Sequence, residues 1–532
     1  DKAAPAVTAP TTADKAAPAV TAPTTADKAT PAVAAPTTAT SAQVTELTKN
    51  GLQLVSDAKI DNFDVNKLSS RQINSLNAAA DKYYQNPNKT PNSNAVTYKN
   101  FDDLIKQLQE QPKNIAIPQF NSQNIKNLPA VTTESALTGK IEDLDIWDSW
   151  MVQDAQTQKV ADVQGHQVMF ALAGSTKEPA DTHIYMLTTP YKATTINSWQ
   201  MVGPVFGYNA VPWSQEWSGS ATVNKDGSIQ LFYTRVTWND TIKQNMQRLS
   251  TINIVVRPTN SNGLAIENVN NDHIIFDGDG KYYQNIEQTV NSEGDNFTLR
   301  DPHVIEVDGQ RYLSFETNTG TNNPEGYENV TDLSNYGGSL HYNVTKLLEL
   351  VGNDAAFRTA TLANGALGLL RLTQEQNNPT VTQIYDPLVT SNMVTDEIER
   401  ANIVPLNGKY YLFTDTRLEK SSLGSNWNKS TASDIAMLGY VSDTLFGDYK
   451  PLNINGVVLV ANKTSNDRTA TYSYYAVPVD GYSDRLLITS YMSNRGMEAG
   501  NGLNATTAPS FIIQINADGT TAVEQTITTQ ND

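Results

Sequence analysis

An all-β body behind a small helical N-terminal layer is what this chain should build. From about residue 115 onward, turn dipeptides recur ahead of short runs of Val, Ile, Leu, Tyr and Phe. They are Gln164-Gly165 before Val168–Leu172, Asp226-Gly227 before Ile229–Tyr233, Asp308-Gly309 before Tyr312–Phe315, Asn407-Gly408 before Tyr410–Phe413 and Asp480-Gly481 before Leu486–Tyr491. Asn-Gly and Asp-Gly accept the positive φ of tight turns, so each dipeptide reads as a hairpin. Five hairpins at unequal spacing do not suit a solenoid. They suit a propeller whose blades carry unequal loops, or a large sandwich.

Two segments precede this body. Residues 1–39 are one thirteen-residue unit written three times, Asp1–Ala13, Asp14–Ala26 and Asp27–Ala39, built almost wholly from Ala, Thr and Pro. With no aromatic side chain and two prolines per unit, it cannot offset the entropy of ordering, so residues 1–40 are expected to be a disordered spacer. Residues 41–114 carry a helical period instead: Val44, Leu47, Leu52 and Val55, then Ile73 and Leu76 behind a Ser69 or Ser70 cap, then Phe101, Leu104, Ile105 and Leu108. These are expected to pack as a helical layer on a body formed by residues 115–532.

Composition narrows the function classes. Among 532 residues, 56 acidic side chains exceed 38 basic ones, a net charge of -18, which argues against a nucleic-acid partner. The absence of cysteine excludes disulfides, thiolate metal sites and a cysteine nucleophile, and five histidines leave little for a His-rich zinc site. No apolar run reaches the length of a membrane span, and no signal peptide opens the sequence.

The polar motifs share a phase with the hairpins. Trp217 lies 10 residues before Gly227, Asp301 lies 8 before Gly309, and Glu399 and Tyr472 each lie 9 before Gly408 and Gly481; Asp148 precedes Gly165 by 17. Each motif therefore begins a strand whose far end is the turn, and five such strands would bring acidic, aromatic and Arg side chains to one end of a central funnel. No Gly-rich phosphate loop and no Gly-x-Ser-x-Gly elbow is present. Paired carboxylates beside aromatic rings suit glycosyl transfer, in which one group attacks the anomeric carbon and another handles the leaving-group proton.

The runs Leu144–Trp150, Glu216–Ser220, Leu299–His303 and Asp396–Asn402 resemble the bacterial fructansucrases, the levansucrases and inulosucrases of glycoside hydrolase family 68. The resemblance covers about residues 115–516 and implies an all-β, five-bladed β-propeller with a central funnel-shaped pocket. It implies Asp148 as nucleophile, Asp301 as transition-state stabiliser and Glu399 as general acid/base. It places Trp147, Trp217, Ser218, Arg300, Glu397, Arg400, Arg417, Tyr472 and Arg495 around sucrose, with Asn296 as a candidate at the rim. Met151 stands where the family pattern has Pro, outside the chemistry.

The same resemblance implies a structural calcium ion on Asp295, Glu328, the carbonyl of Leu362, Asn364 and Asp396, hard oxygen donors of the kind Ca²⁺ takes. It implies a secreted or cell-wall-associated, monomeric enzyme of a Gram-positive bacterium. Sucrose would be the donor, and sucrose, growing fructan or water the acceptor. Levan is the expected product, from the versions of the motifs around Asp295-Asn296 and Ile398–Asn402. An inulosucrase and an invertase-like hydrolase are the alternatives, although Asp145–Trp150 lacks the Asn-Asp-Pro-Asn pattern of invertases.

Overall fold

The computed structural model describes residues 46–175, 177–178, 180–241, 243–289, 295–461, 463–464, 466–492 and 504–526. The repeat segment and Arg495 lie outside the described residues. What is described is mostly β with few helices.

Three capped helices come first. Thr48 caps Lys49–Asp57; Ser69 and Gln72 form a reciprocal capping box on Ser70–Gln85; and Thr97 and Asn100 form another on Tyr98–Glu110. Their apolar faces, with Leu54, Leu76, Phe101, Leu104 and Leu108 at the centre, join one hydrophobic core with the sheets beneath. The sequence reading runs β without a break after residue 115. The structure instead inserts helices Leu340–Val351 and Asp354–Leu362 between two strands, and the first of these packs against Ser70–Gln85. Val344, Leu347, Leu350 and Val351 give this insertion a buried helical face, between side-chain caps at Ser339 and Asn353.

The β-strands form one eight-stranded sheet, three five-stranded sheets and a two-stranded ribbon. Asp145–Gln153 opens a first antiparallel meander and Ser214–Val223 a second, and these two strands meet in a short parallel contact that makes the eight-stranded sheet. Leu299–Val307, Glu399–Leu406 and Thr471–Pro478 open the other three. Each opening strand packs against the opening strand of the next meander, and Thr471–Pro478 returns to Asp145–Gln153.

The tight turns fall where the dipeptides put them. Asp308 (φ 51°) and Gly309 (φ 77°), and likewise Asn407 (φ 51°) and Gly408 (φ 73°), join directly paired strand ends with both central residues left-handed. Polar ties then lock adjacent meanders. The Asn402 amide accepts from the Ala476 N–H at 3.0 Å and donates to the Ala476 carbonyl at 2.9 Å, and buried His303 bridges the Ile403 carbonyl (3.2 Å) and the Tyr475 hydroxyl (2.9 Å). Burial pushes the His303 imidazole down to about 3, so it serves these bonds as a neutral ring. Among the described residues, no helix is long and apolar enough to cross a membrane.

Candidate active site

All five opening strands break register at the same height. Two residues on the opening strand face one on its partner at Trp147-Asp148, Ser218-Gly219, Asp301-Pro302, Arg400-Ala401 and Ser473-Tyr474. A bulge of this kind bends the strand and re-aims its side chains, which a regular period of two cannot do. Asp301, Arg400 and Ser473 each adopt a left-handed backbone, with φ of 59°, 57° and 60°. Such conformations persist in non-glycine residues only where the surroundings hold them, and they concentrate at functional sites. Pro302 fits inside a strand because the bulge needs no ladder N–H there. Gly219 is required because a Cβ would come within 1.8 Å of the Phe232 carbonyl oxygen.

The bulges bring Asp148, Asp301 and Glu399 into one buried region with Trp147, Trp217, Ser218, Arg300, Glu397, Arg400, Arg417 and Tyr472, all buried. Each carboxylate has its own surroundings. Asp148 accepts a 2.5 Å hydrogen bond from the Ser218 hydroxyl and lies 3.9 Å from Arg400 Nη1. Asp301 accepts the Arg400 backbone N–H at 2.9 Å, while its own N–H is fixed by Thr234 Oγ1 at 3.0 Å. Glu399 accepts the Tyr472 hydroxyl and an Arg300 Nη2 contact at 3.4 Å.

Charges sort these groups further. Burial pushes the Asp301 carboxyl up to about 6, with Asp148 adding to the rise and Arg300 opposing it. Burial and then the neighbouring Glu397 drive Glu399 well above the usual carboxylate range. Glu397 goes the other way: against the cost of burial, Arg417 holds it down at about 2 through contacts of 2.5 and 2.9 Å. A carboxyl raised by its surroundings beside carboxylates held in other surroundings is the arrangement that glycosidic bond cleavage uses.

The sequence motifs do not name every group here. Glu316, wholly buried on the second strand of the third meander, binds Arg300 through two bonds of 2.9 and 3.1 Å. Asp415, on the strand paired with Glu399–Leu406, is also wholly buried near Asp148, Asp301 and Arg400. A lone acidic residue inside a β run was the available signal for both. Asp301, Glu316 and Glu399 present ligand atoms within 4.8 Å of one another, a buried acidic cluster that could hold a metal ion, with Arg300 as its present counter-charge.

A second acidic group forms around Asp295 and Asp396. The Asp396 Oδ1 accepts from the Asn364 N–H at 2.8 Å and the Asn318 amide at 3.1 Å, and Asp295 accepts from the Gln284 amide at 3.2 Å. Leu362 ends its helix two residues before Asn364. The structure does not bring Glu328 to this group: its side chain is 78% exposed and pairs with Lys82 at 2.5 Å. Glu325, three residues earlier and across the Gly326 bend (φ 133°), faces Asp295 and Asp396 instead. Burial and these two acids lift Glu325 to about 9. Asn296, half-buried, gives its backbone N–H to Asp295 at 2.8 Å.

Residues 86–530 match glycoside hydrolase family 68, described as levansucrase/invertase, and the chain belongs to that family. It is 47% identical over 502 residues to a levansucrase of Lactobacillus gasseri, covering 92% of this chain and 64% of that protein. It is 45% identical over 477 residues to an inulosucrase of Lactobacillus johnsonii, covering 88% and 59%. The chain thus spans about three fifths of the length of these two relatives. The crystal structure of Bacillus subtilis levansucrase superposes with a TM-score of 0.73 at 39% identity, covering 83% of this chain and 98% of that one.

Proposed function

We propose that this protein is a sucrose-dependent fructosyltransferase working by a retaining double displacement. In this reading Asp148 attacks the anomeric carbon of the fructosyl unit while Glu399 gives its proton to the departing glucose oxygen. Glu399 then takes a proton from the incoming acceptor hydroxyl, which attacks the fructosyl-Asp148 ester and frees the carboxylate. Asp301 faces the ring as positive charge builds on it, and the aromatic and Arg side chains orient the sugar. The observation that carries the reading is the set of matched bulges, which supports three carboxyls acting together in three different surroundings. Five meanders with neighbouring opening strands support a five-bladed propeller around this site.

Levan is the product we propose, with sucrose, the growing chain or water as acceptor, outside the cell. Support for β(2→6) linkage comes from the motifs around Asn296 and Glu399. Incubation with sucrose tests both levels. The transferase reading expects glucose in excess of free fructose and a polymer whose NMR spectrum shows mainly β(2→6) bonds. Mainly β(2→1) bonds make it an inulosucrase, and equal glucose and fructose without polymer make it a hydrolase.

A calcium ion fits the second acidic group. Asp295, Glu325, Asn364 and Asp396 would hold it, and Glu325 Oε2 is buried with no hydrogen-bond partner. When bound, it supplies charge neutralisation that keeps these loops together; it takes no part in the fructosyl transfer.

A further inference from the structure

Among the described residues, Arg400 is the one guanidinium within ion-pair range of Asp148, and its own support is incomplete. Its Nη2 donates to the Ser149 carbonyl at 2.9 Å, and its plane lies 4.8 Å from the Tyr475 ring centre and 5.7 Å from that of Trp150. Its Nε and Nη1 make no hydrogen bond. Asp148 Oδ1, both Asp415 carboxyl oxygens and Ser473 Oγ are likewise buried without a hydrogen-bond partner of full geometry. These atoms belong together. Asp415 feels Arg400, Asp148 and Asp301 directly, the Tyr474 N–H is directed at it, and Ser473 is the other half of that same bulge. Natural interiors satisfy nearly all buried polar atoms, so six orphaned ones around a nucleophile mark a shared polar space with a purpose.

We propose that Asp415 is a positioning residue for the nucleophile, acting on the Arg400 guanidinium that lies 3.9 Å from Asp148, from beside the Ser473-Tyr474 bulge. This rests on the fructosyl-transfer reading above and deepens it. Asp415 lies on the second strand of its meander, paired with Glu399. Burial drives its carboxyl above the ordinary range despite the pull of Arg400. An amide has the shape of a carboxyl group and can both donate and accept, which decides the test.

Asp415→Asn should keep kcat on sucrose within about threefold, whereas Asp415→Leu, of similar volume but without polar atoms, should lower kcat about 100-fold with KM nearly unchanged, the signature of a misplaced reacting group. Circular dichroism and the melting curve establish that each variant is folded. A folded Asp415→Leu with kcat near wild type overturns the inference, as does an Asn variant that loses as much as the Leu variant. If Asp415→Leu does not fold, Ser473→Ala reads the same space by losing a single hydroxyl. A kcat roughly three- to tenfold lower at constant KM supports the inference, and an unchanged kcat overturns it. Failure of the underlying reading is told apart by the wild-type protein, which would then release no glucose from sucrose, or glucose and fructose equally without polymer.

Discussion

The two acidic groups of this molecule answer the same problem in opposite ways. Around Asp301, Glu316 and Glu399, the chain supplies its own counter-charge in Arg300, which burial disfavours but whose acidic neighbours keep it firmly protonated. Around Asp295, Glu325 and Asp396, no Arg or Lys makes an ion pair among the described residues, and all three carboxyls are driven up, first by burial. Buried carboxylates cannot stay charged without a partner. A fixed guanidinium suits a site where protons must move on schedule, while an unpaired set is suited to a cation from solution. On the proposed function, the contrast separates the carboxylates that would do chemistry from those that would hold structure.

The strongest way to break it is to remove the charges one at a time. Asp148→Asn should keep the fold and lower turnover by at least about a thousandfold, because no other group can carry the fructosyl unit. Glu399→Gln should lose roughly 10²- to 10⁴-fold on sucrose yet still release fluoride in a burst from fructosyl fluoride, whose leaving group needs no proton. Rapid-quench kinetics reads both. An Asp148→Asn variant with a tenth of normal activity, or no burst from the Glu399 variant, would reverse the assignment.

Much of this site was legible because its residues are conspicuous in β segments. Asp148 between two tryptophans, Pro302 inside a strand and Glu397 beside Glu399 all violate the apolar alternation. The turn dipeptides gave the phase, since Asp-Gly and Asn-Gly need no long-range context to form. What escaped was set by tertiary geometry. The bulges depend on how five strands crowd at one end, and no local signal marks Asp301, Arg400 or Ser473 as left-handed. Glu316 and Asp415 sit on second strands, each a single acid whose partner comes from another part of the chain. Glu325 and Glu328 are three residues apart with the same side chain, and only the bend at Gly326 (φ 133°) separates the buried one from the one facing Lys82.

A smaller effect is expected between the two groups. On the proposed function, Asn296, which follows Asp295 and precedes Arg300 by four residues, is the candidate for contact with the acceptor sugar. Asn296→Ala should shorten the products while leaving sucrose cleavage within about tenfold, under ~1.4 kcal/mol in the barrier. Chromatography of the products checks it. Full-length polymer with lost cleavage would move Asn296 to the donor site.

The structural group should respond to chelation rather than to substrate. EDTA should lower the wild-type melting temperature by roughly 5 °C, as loss of a ligand well above its dissociation constant does. Glu325→Gln should blunt that response, and Glu328→Gln should leave it intact. Equal loss in both variants would mean the two glutamates are not distinguished as the structure has them.

The smallest effect concerns a third answer to carboxylate burial, a proton held on histidine. His183 Nδ1 lies 2.7 Å from Glu216 Oε2, and its Nε2 lies 3.3 Å from Asp181 Oδ1. Burial alone would push the imidazole down, but Glu216 and then Asp181 outweigh it and raise it above its ordinary 6.5. Because the folded value exceeds the unfolded one, the imidazolium's contribution is complete below pH 6.5 and is lost as pH climbs through the raised value. Asp181, raised chiefly by burial, titrates in the same sense but from the carboxylate range upward. Calorimetry across this window should therefore show a melting temperature that declines by roughly 2 °C above pH 6.5, beyond the trend of His183→Gln, which keeps the shape of the ring site without its charge. The variant should also be the less stable protein at acid pH, where wild type has its full ion pair. Since Glu216 immediately precedes Trp217 and Ser218, the same scan run alongside sucrose turnover separates stability from alignment. A wild-type curve parallel to that of His183→Gln would mean that the histidine is neutral and that the Glu216 strand is held by packing alone.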